Sequence, residues 1–480
     1  MITIIAKIQK RIKDLPLGVK ASAGYFLASL VTKGISYLTT PIYTRLLSEE
    51  QYGQLSVYLT WFHLFGIIAM FCLSYGVFNN GMVDYPDRRD EYSLSILSLS
   101  NIITIVFTII CSIVYPYISE YIKVEFRYII IMCLIFLVQP AYTFWAAKNR
   151  YELKYKSVVI CSIVIALVSP LVAIVSIVLT KGNKLDARIF GAELACFSVY
   201  LFFYFLILKK NHFKITTKYW KAAILFNLPL IPHYLSLHLL NSSDKLMISY
   251  LVSDKATAYY SVAYSIAAVG TIVWTAINSS LIPFTYEKCK EKNYNAISRV
   301  TIPLLTLFAC VCTLIILLAP EMVGIMATKN YLEAIYVIPP IVGGVFFQVQ
   351  YHVYANILYY YKKPRFVMIG SVTATVLNLV LNYIFIRIYG YIAAGYTTLV
   401  CYMIQAGIDY LAMRHFVREK IYDIKLIGVL SISVCIIGLF SNLIYDYPVV
   451  RYGIVGILAV LIIVFRKKIK SIFFAVKKKE

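Results

Sequence analysis

The sequence predicts an all-α polytopic membrane protein with about fourteen transmembrane helices: two six-helix lobes related by a repeat, plus two C-terminal helices. Three observations predict it. The 480 residues are 60% hydrophobic and only 14% charged, with a mean hydropathy of +0.76, whereas soluble domains lie nearer ~45–50% apolar and ~25% charged. Apolar stretches of roughly 20 residues, the length that crosses a bilayer, recur along the whole chain. Lys and Arg gather on one side of those stretches.

Taken in order, the spans fall near 20–43, 54–77, 94–117, 128–147, 157–180, 187–208 and 222–252. The remainder fall near 256–282, 300–320, 334–359, 366–389, 391–413, 425–444 and 448–466. Connections are short, and only Gly390 separates the eleventh span from the twelfth. The first span is too long for a signal h-region and lacks a small-x-small cleavage site, so it reads as a helix that stays. Of the 46 Lys and Arg, 34 lie on the side of the N-terminus, the even-to-odd connections and the C-terminal tail; ten lie opposite. That asymmetry places both termini in the cytoplasm. The net charge of +23 is then topology and attraction to anionic lipid, and a nucleic-acid partner is excluded. Of ten cysteines, nine fall in apolar spans. The closest pair, Cys310 and Cys312, point roughly 200° apart on a helix, so neither a disulfide framework nor a metal site is expected.

An internal echo organises the spans. The run 46–57 (LLSEEQYGQLSV) follows the first span and 251–262 (LVSDKATAYYSV) follows the seventh. At an offset of 205 they match at Leu46/Leu251, Ser48/Ser253, Ser56/Ser261 and Val57/Val262, with Glu49 facing Asp254. A weaker pair is Val138-Gln139 with Val349-Gln350. Parallel halves follow: an N-terminal lobe over 1–208, a basic linker over 209–221, a C-terminal lobe over 222–416, and two extra helices with a basic tail over 417–480.

Two helices carry the unusual chemistry. In the first span, Ser22, Tyr25, Ser29, Lys33, Ser36, Tyr37, Thr40 and Thr44 recur at helical spacing and form one polar stripe. Lipid does not solvate such a stripe, so it is expected to face protein or a water-filled cavity, with Lys33 near mid-span as a cavity-facing cation. The seventh span repeats the arrangement with Tyr234, His238, Asn241 and Lys245 on one face. Asp244, rotated about 100° from Lys245, is expected to pair with Lys245, or with Lys33 or Arg45. Pro229 and Pro232 mark a break in that helix. His63, His233, His238 and His352 are candidates for proton coupling, although a packed histidine is the commoner reading. Deep aromatics (Tyr58, Trp61, Tyr259, Tyr260, Tyr264, Trp274, Tyr351, Tyr354) beside Gln348, Gln350 and Asn278 suit sugar rings: C–H faces stack while amides bind hydroxyls. No phosphate loop, nucleophile elbow or large loop is present for catalysis, so no enzyme and no cofactor are expected.

The run 37–53 (YLTTPIYTRLLSEEQYG) resembles the first-helix signature of Wzx-type oligosaccharide flippases, which carry O-antigen and capsule repeat units. So do 76–82 (GVFNNGM) and 228–233 (LPLIPH) with Ser243, Asp244 and Lys245. These flippases belong to the multidrug/oligosaccharidyl-lipid/polysaccharide (MOP) exporter superfamily. The resemblance implies two six-helix lobes around a central cavity in the bacterial cytoplasmic membrane. Through it an undecaprenyl-pyrophosphate-linked oligosaccharide moves to the outer leaflet by alternating access, coupled to an H⁺ or Na⁺ gradient. It implies Lys33, Arg45 and Lys245 as pyrophosphate cations, with Asp244, Asn241, His238 and Tyr37 beside them. Lys245 replaces the Arg common at its position, which keeps the charge but loses bidentate phosphate recognition. Membrane lipids, the polysaccharide polymerase and the chain-length machinery are the implied partners. Competing readings are a cation-coupled multidrug exporter of the same superfamily and a membrane-embedded glycan polymerase or transferase.

Overall fold

The computed structural model describes residues 17–210 and 215–464. The basic residues up to Lys13, Lys214 and the tail from Arg466 lie outside the described residues. Seventeen α-helices account for nearly all of the described chain. In the first half they are α1 (Leu17–Leu46), α2 (Glu49–Ala69), α3 (Val77–Asp84), α4 (Arg89–Ile122), α5 (Phe126–Tyr151), α6 (Tyr155–Leu179) and α7 (Lys184–Lys210). There follow α8 (Trp220–Asn227), α9 (Ile231–Leu251), α10 (Asp254–Lys290), α11 (Tyr294–Leu317) and α12 (Ala319–Met326). The last five are α13 (Ile338–Tyr360), α14 (Pro364–Tyr389), α15 (Ile392–Phe416), α16 (Ile424–Ile444) and α17 (Pro448–Val464).

Each of the fourteen predicted spans coincides with one or more of these helices. Nine are long and apolar enough to cross a membrane, or ten if the 52° bent pair Lys329–Tyr336 and Ile338–Tyr360 counts as one. Helices α1, α2, α15 and α17 fall outside that set, α17 because its apolar stretch is short; α1 carries the polar stripe, and α15 buries Thr397, Thr398, Gln405 and Asp409. Interior polar residues lower hydropathy without shortening the helix. The seventh span is broken as its prolines require: a 3₁₀ turn, Leu228–Leu230, separates α8 from α9.

The chain forms two compact units, Met1–Gln51 with Val57–Leu235, and Tyr52–Ser56 with Ser236–Glu480. In the first, α3 is a short buried helix whose Phe78 stacks on Phe144 at 4.2 Å. Tyr92 donates to the Val77 carbonyl at 2.9 Å. The segment after α7 is tied to α4 because Trp220 Nε1 donates to the Ser95 carbonyl at 2.9 Å. In the second, α13 packs against α10, α11, α15 and α16 and is buried along most of its length. Helix α17 is held at Arg451, which donates to both Glu321 oxygens at 2.8 and 2.9 Å and to the Leu317 carbonyl at 2.8 Å.

The sequence echo is visible as backbone chemistry. Ser48 caps α2 by accepting from Gln51 N, and Ser253 caps α10 by accepting from Ala256 N. Each satisfies an amide that the first helical turn leaves without a partner. A second correspondence joins the turn after α5 to the turn after α13. Leu153 (φ 55°) and Lys362 (φ 55°) are left-handed; Lys154 N donates to Asn149 O at 2.9 Å, and Lys363 N to Leu358 O at 2.8 Å. These are Schellman closures, and their register is 209 rather than the 211 that pairing Gln139 with Gln350 requires. Gln139 therefore corresponds to Gln348. Gln350 turns away and donates to Ser431 on α16 at 2.8 Å. Between α14 and α15 the chain reverses at Gly390 alone, whose φ of +70° and ψ of −164° suit glycine.

Ser48→Ala and Ser253→Ala should each lower stability by about 1 kcal/mol, the usual worth of a side-chain cap. Thermal unfolding of the purified protein in detergent measures this. No shift in the midpoint for either variant would show that the two caps are ornamental.

Candidate functional site

Helix α9 separates two polar environments because adjacent residues diverge by about 100° around a helix. Asp244 points to one side and is 1% exposed. Its Oδ2 accepts from Tyr260 Oη at 2.5 Å and Thr398 Oγ1 at 2.9 Å, and its Oδ1 accepts from Asn382 Nδ2 at 2.5 Å. Behind these, Thr397 donates to Asn382 Oδ1. Asn378 Nδ2 donates to Thr398 Oγ1 at 3.2 Å, and Ser243 Oγ donates to Asn378 Oδ1 at 3.3 Å. The carboxylate thus lies in a cage of neutral oxygen- and amide-bearing groups from α9, α10, α14 and α15. Hard cations favour such oxygen ligands, and a carboxyl group there also offers a proton a place.

The other side of α9 carries Asn241 and Lys245, one turn apart. Asn241 Oδ1 accepts from Tyr402 Oη at 2.7 Å and from Tyr264 Oη at 3.4 Å. Lys245 Nζ lies 5.3 Å from the Tyr264 ring centroid, a cation–π contact. Gln348 Nε2 donates to Tyr402 Oη at 3.3 Å. Asn241, Tyr264 and Gln348 border a cavity of about 260 Å³ that Trp274, Thr271 and His352 also line. The first unit has a cavity of about 340 Å³ lined by His63, Tyr75, Gln139 and Thr143. Gln139 and Gln348, equivalent by the loop register, each reach the cavity of their own unit.

Residues 19–288, more than half of the chain, match the polysaccharide biosynthesis protein family. The chain belongs to that family. Residues 229–384 also match the MatE family. The Lsg locus putative protein 1 of Haemophilus influenzae is 24% identical over 375 residues, covering 75% of this chain and 88% of the relative. Among solved structures, the lipid II flippase MurJ in an inward closed conformation is similar at TM-score 0.67 and 14% identity, over 94% of this chain and 100% of its own. An inward-facing multidrug resistance MATE family transporter of the MOP superfamily reaches TM-score 0.62 at 14% identity, over 80% of this chain and 94% of its own. This polysaccharide biosynthesis protein is therefore a multi-pass membrane protein that shares the fold of these two transporters.

In this polysaccharide biosynthesis protein, α9 brings together Asn241, Lys245 and the Asp244 cage. The expected pairing of Asp244 with Lys245, Lys33 or Arg45 is not what forms: no ion pair among the described residues involves Asp244, because sequence neighbours point apart and neutral donors already fill its oxygens. His238 is half-buried on the face of Asn241, whereas Tyr234 stacks on Tyr75 at 4.7 Å in the first unit. On α1, Lys33 is exposed and Tyr37 half-buried. Arg45 is exposed and donates Nη1 to the Pro41 carbonyl at 2.8 Å. The polar stripe is left open by its own unit, since α1 packs on α6 through the face of Ala21, Gly24 and Ala28.

Of the aromatic and amide set, only Tyr264, Trp274 and Gln348 line the second-unit cavity. Trp61 instead donates to Ile122 O at 3.0 Å, Tyr354 packs on Tyr410 and Tyr422, and Asn278 accepts from Asn356 at 2.8 Å. The sequence reading missed the cage partners Asn378, Asn382, Thr397 and Thr398. It also passed over two carboxylates inside apolar spans, Glu193 and Asp409, which are 8% and 0% exposed. The signal was present: an acid in a hydrophobic span is a functional-site candidate by default.

A double-mutant cycle tests the separation of Asp244 from Lys245. Asp244→Ala should cost about 2–3 kcal/mol, because buried donors lose their acceptor. Lys245→Ala should cost about 1–2 kcal/mol, the worth of a cation–π contact partly removed from water. Their coupling should be about 1 kcal/mol, the electrostatics of neighbouring charges without a contact; a coupling several times larger would mean that the two charges do form a pair.

Proposed function

We propose that the protein is a Wzx-type flippase that moves an undecaprenyl-pyrophosphate-linked oligosaccharide across the bacterial cytoplasmic membrane by alternating access, with both termini in the cytoplasm. The observation that carries the reading is the division of labour on α9. Its Lys245 face meets an aromatic- and amide-lined cavity, and its Asp244 face meets an oxygen cage suited to an H⁺ or Na⁺. Lys33, Arg45 and Lys245 are assigned to the pyrophosphate, whose negative charge needs cations in a low-dielectric path. Asp244 is assigned to the coupling ion. The polysaccharide polymerase and chain-length machinery take the product on the far side.

The match of the second unit to the MatE family favours one alternative, a cation-coupled multidrug exporter. Cations on both α1 and α9 argue against it, because they repel organic cations. Deletion of the gene separates the readings: lost surface glycan with accumulated lipid-linked intermediate supports the flippase, whereas increased drug sensitivity with normal glycan supports the exporter.

Lys33→Ala and Lys245→Ala should each reduce glycan export at unchanged membrane abundance, and together should reduce it further. Normal export by the double variant would remove both lysines from the substrate path. In proteoliposomes, Asp244→Asn should abolish the response of transport to an imposed H⁺ or Na⁺ gradient while downhill flipping continues. A gradient response equal to wild type would separate Asp244 from coupling.

A further inference from the structure

Helix α15 carries a second buried carboxylate that nothing above uses. Asp409 is 0% exposed, and neither of its carboxylate oxygens has a hydrogen-bond partner. One turn before it, Gln405 is 1% exposed and its Oε1 also lacks a donor. Two acceptor groups a turn apart, both without donors and both shut off from water, are a costly arrangement for a protein interior.

The surroundings explain how the carboxylate fits but not what satisfies it. Gly370 of α14 faces it: a Cβ at that position would stand 3.0 Å from Asp409 Oδ1. The groups whose electrostatics bear on Asp409 are Tyr351 and Tyr359 of α13, and neither donates to it. On α14 the facing position is Gly370, which is uncharged. On its own helix the nearest charge is Arg414, whose Nη1 is 3.3 Å from Tyr410 Oη. No ion pair among the described residues reaches Asp409.

The position of Asp409 is as informative as its isolation. Thr398, Tyr402, Gln405 and Asp409 follow one another at intervals of four, three and four residues, so they share one face of α15. Ser371, Thr375, Asn378 and Asn382 do the same on α14. All eight are at most 4% exposed. The antiparallel register in which Asn382 meets Thr397 and Gly370 meets Asp409 sets these two rows against each other. They form a buried polar seam about 16 Å long, with the Asp244 cage at one end and Asp409 at the other, about 10 Å from the end of α15 at Phe416.

We propose that Asp409 is a proton-carrying site of the transport cycle, linked through the α14–α15 seam to the ion held at Asp244. A metal cation needs several oxygen ligands; Asp409 has only Gln405 Oε1 a turn away, whereas a proton needs a single oxygen and turns the carboxyl into a donor. The proton adds to one Oδ and leaves from the same oxygen; no other bond forms or breaks. The link to transport rests on the ion-coupled reading of Asp244, but proton binding at Asp409 does not.

The test uses the full-length protein in lipid nanodiscs, with pH-difference infrared spectra in the protonated-carboxyl C=O region and no glycan present. Asp409→Asn should delete one carboxyl band, Asp244→Asn should leave that band in place, and Asp409→Glu should move it. If Asp409→Asn does not fold, the Glu variant and Gly370→Ala, which crowds the carboxyl, decide by displacing the same band. Carboxyl bands unchanged in every folded variant at position 409 or 370 would overturn the proposal. In proteoliposomes, the pH profile of transport by Asp409→Asn should flatten, with its rate at the optimum reduced several-fold. A wild-type profile would break the link to transport. Loss of the band together with no glycan transport by wild type would instead overturn the flippase reading and leave the proton site standing.

Discussion

The buried carboxylate of Asp244 is the constraint on which the second unit turns. A charge removed from water is tolerated only where its oxygens are filled, and three neutral donors from α10, α14 and α15 fill them. That requirement orders the helices. It sets Asn382 and Thr398 at one level, places Tyr260 a turn below Tyr264, and so aims Tyr264 and Tyr402 at Asn241. The cavity beside Lys245 is therefore shaped by the same hydrogen bonds that cage Asp244.

Transport folds with repeated halves solve a common problem: each half must present polar groups inward while satisfying its backbone in an apolar solvent. Here the repeat is carried by chain geometry as well as by side chains. Serine caps open α2 and α10, and left-handed turns close α5 and α13. These devices are local, short-range and tolerant of sequence drift, which explains why the echo survives as scattered matches. The side chains differ between the units: Lys33 lies exposed on α1, and Lys245 lies against an aromatic ring.

Much of the architecture was legible in the residues. Hydropathy located the spans, and the prolines marked the interruption before α9. The site was legible by halves. Asn241, Asp244 and Lys245 could be singled out as polar residues in an apolar helix, but their partners could not, and the expected ion pair proved to be two separate environments. Gln350 looked equivalent to Gln139 until the turn geometry assigned that place to Gln348. Asp409 lay in plain sight within an apolar span, and its charge there was signal enough to single it out, but not to name what surrounds it.

What the sequence determined by itself is what depends on neighbours along the chain: span lengths, capping residues, the break at Pro229 and Pro232, and which residues share a helical face. The tertiary structure alone decided which face meets which. It sent Asp244 to Asn382 and Thr398 across more than a hundred residues, turned Lys245 toward Tyr264, and sealed Asp409 against Gly370. The physical reason is that helical periodicity is written in steps of three and four residues. The partner of a buried polar group is chosen instead by packing between distant helices, where small residues, opposing hydroxyls and the absence of water act together.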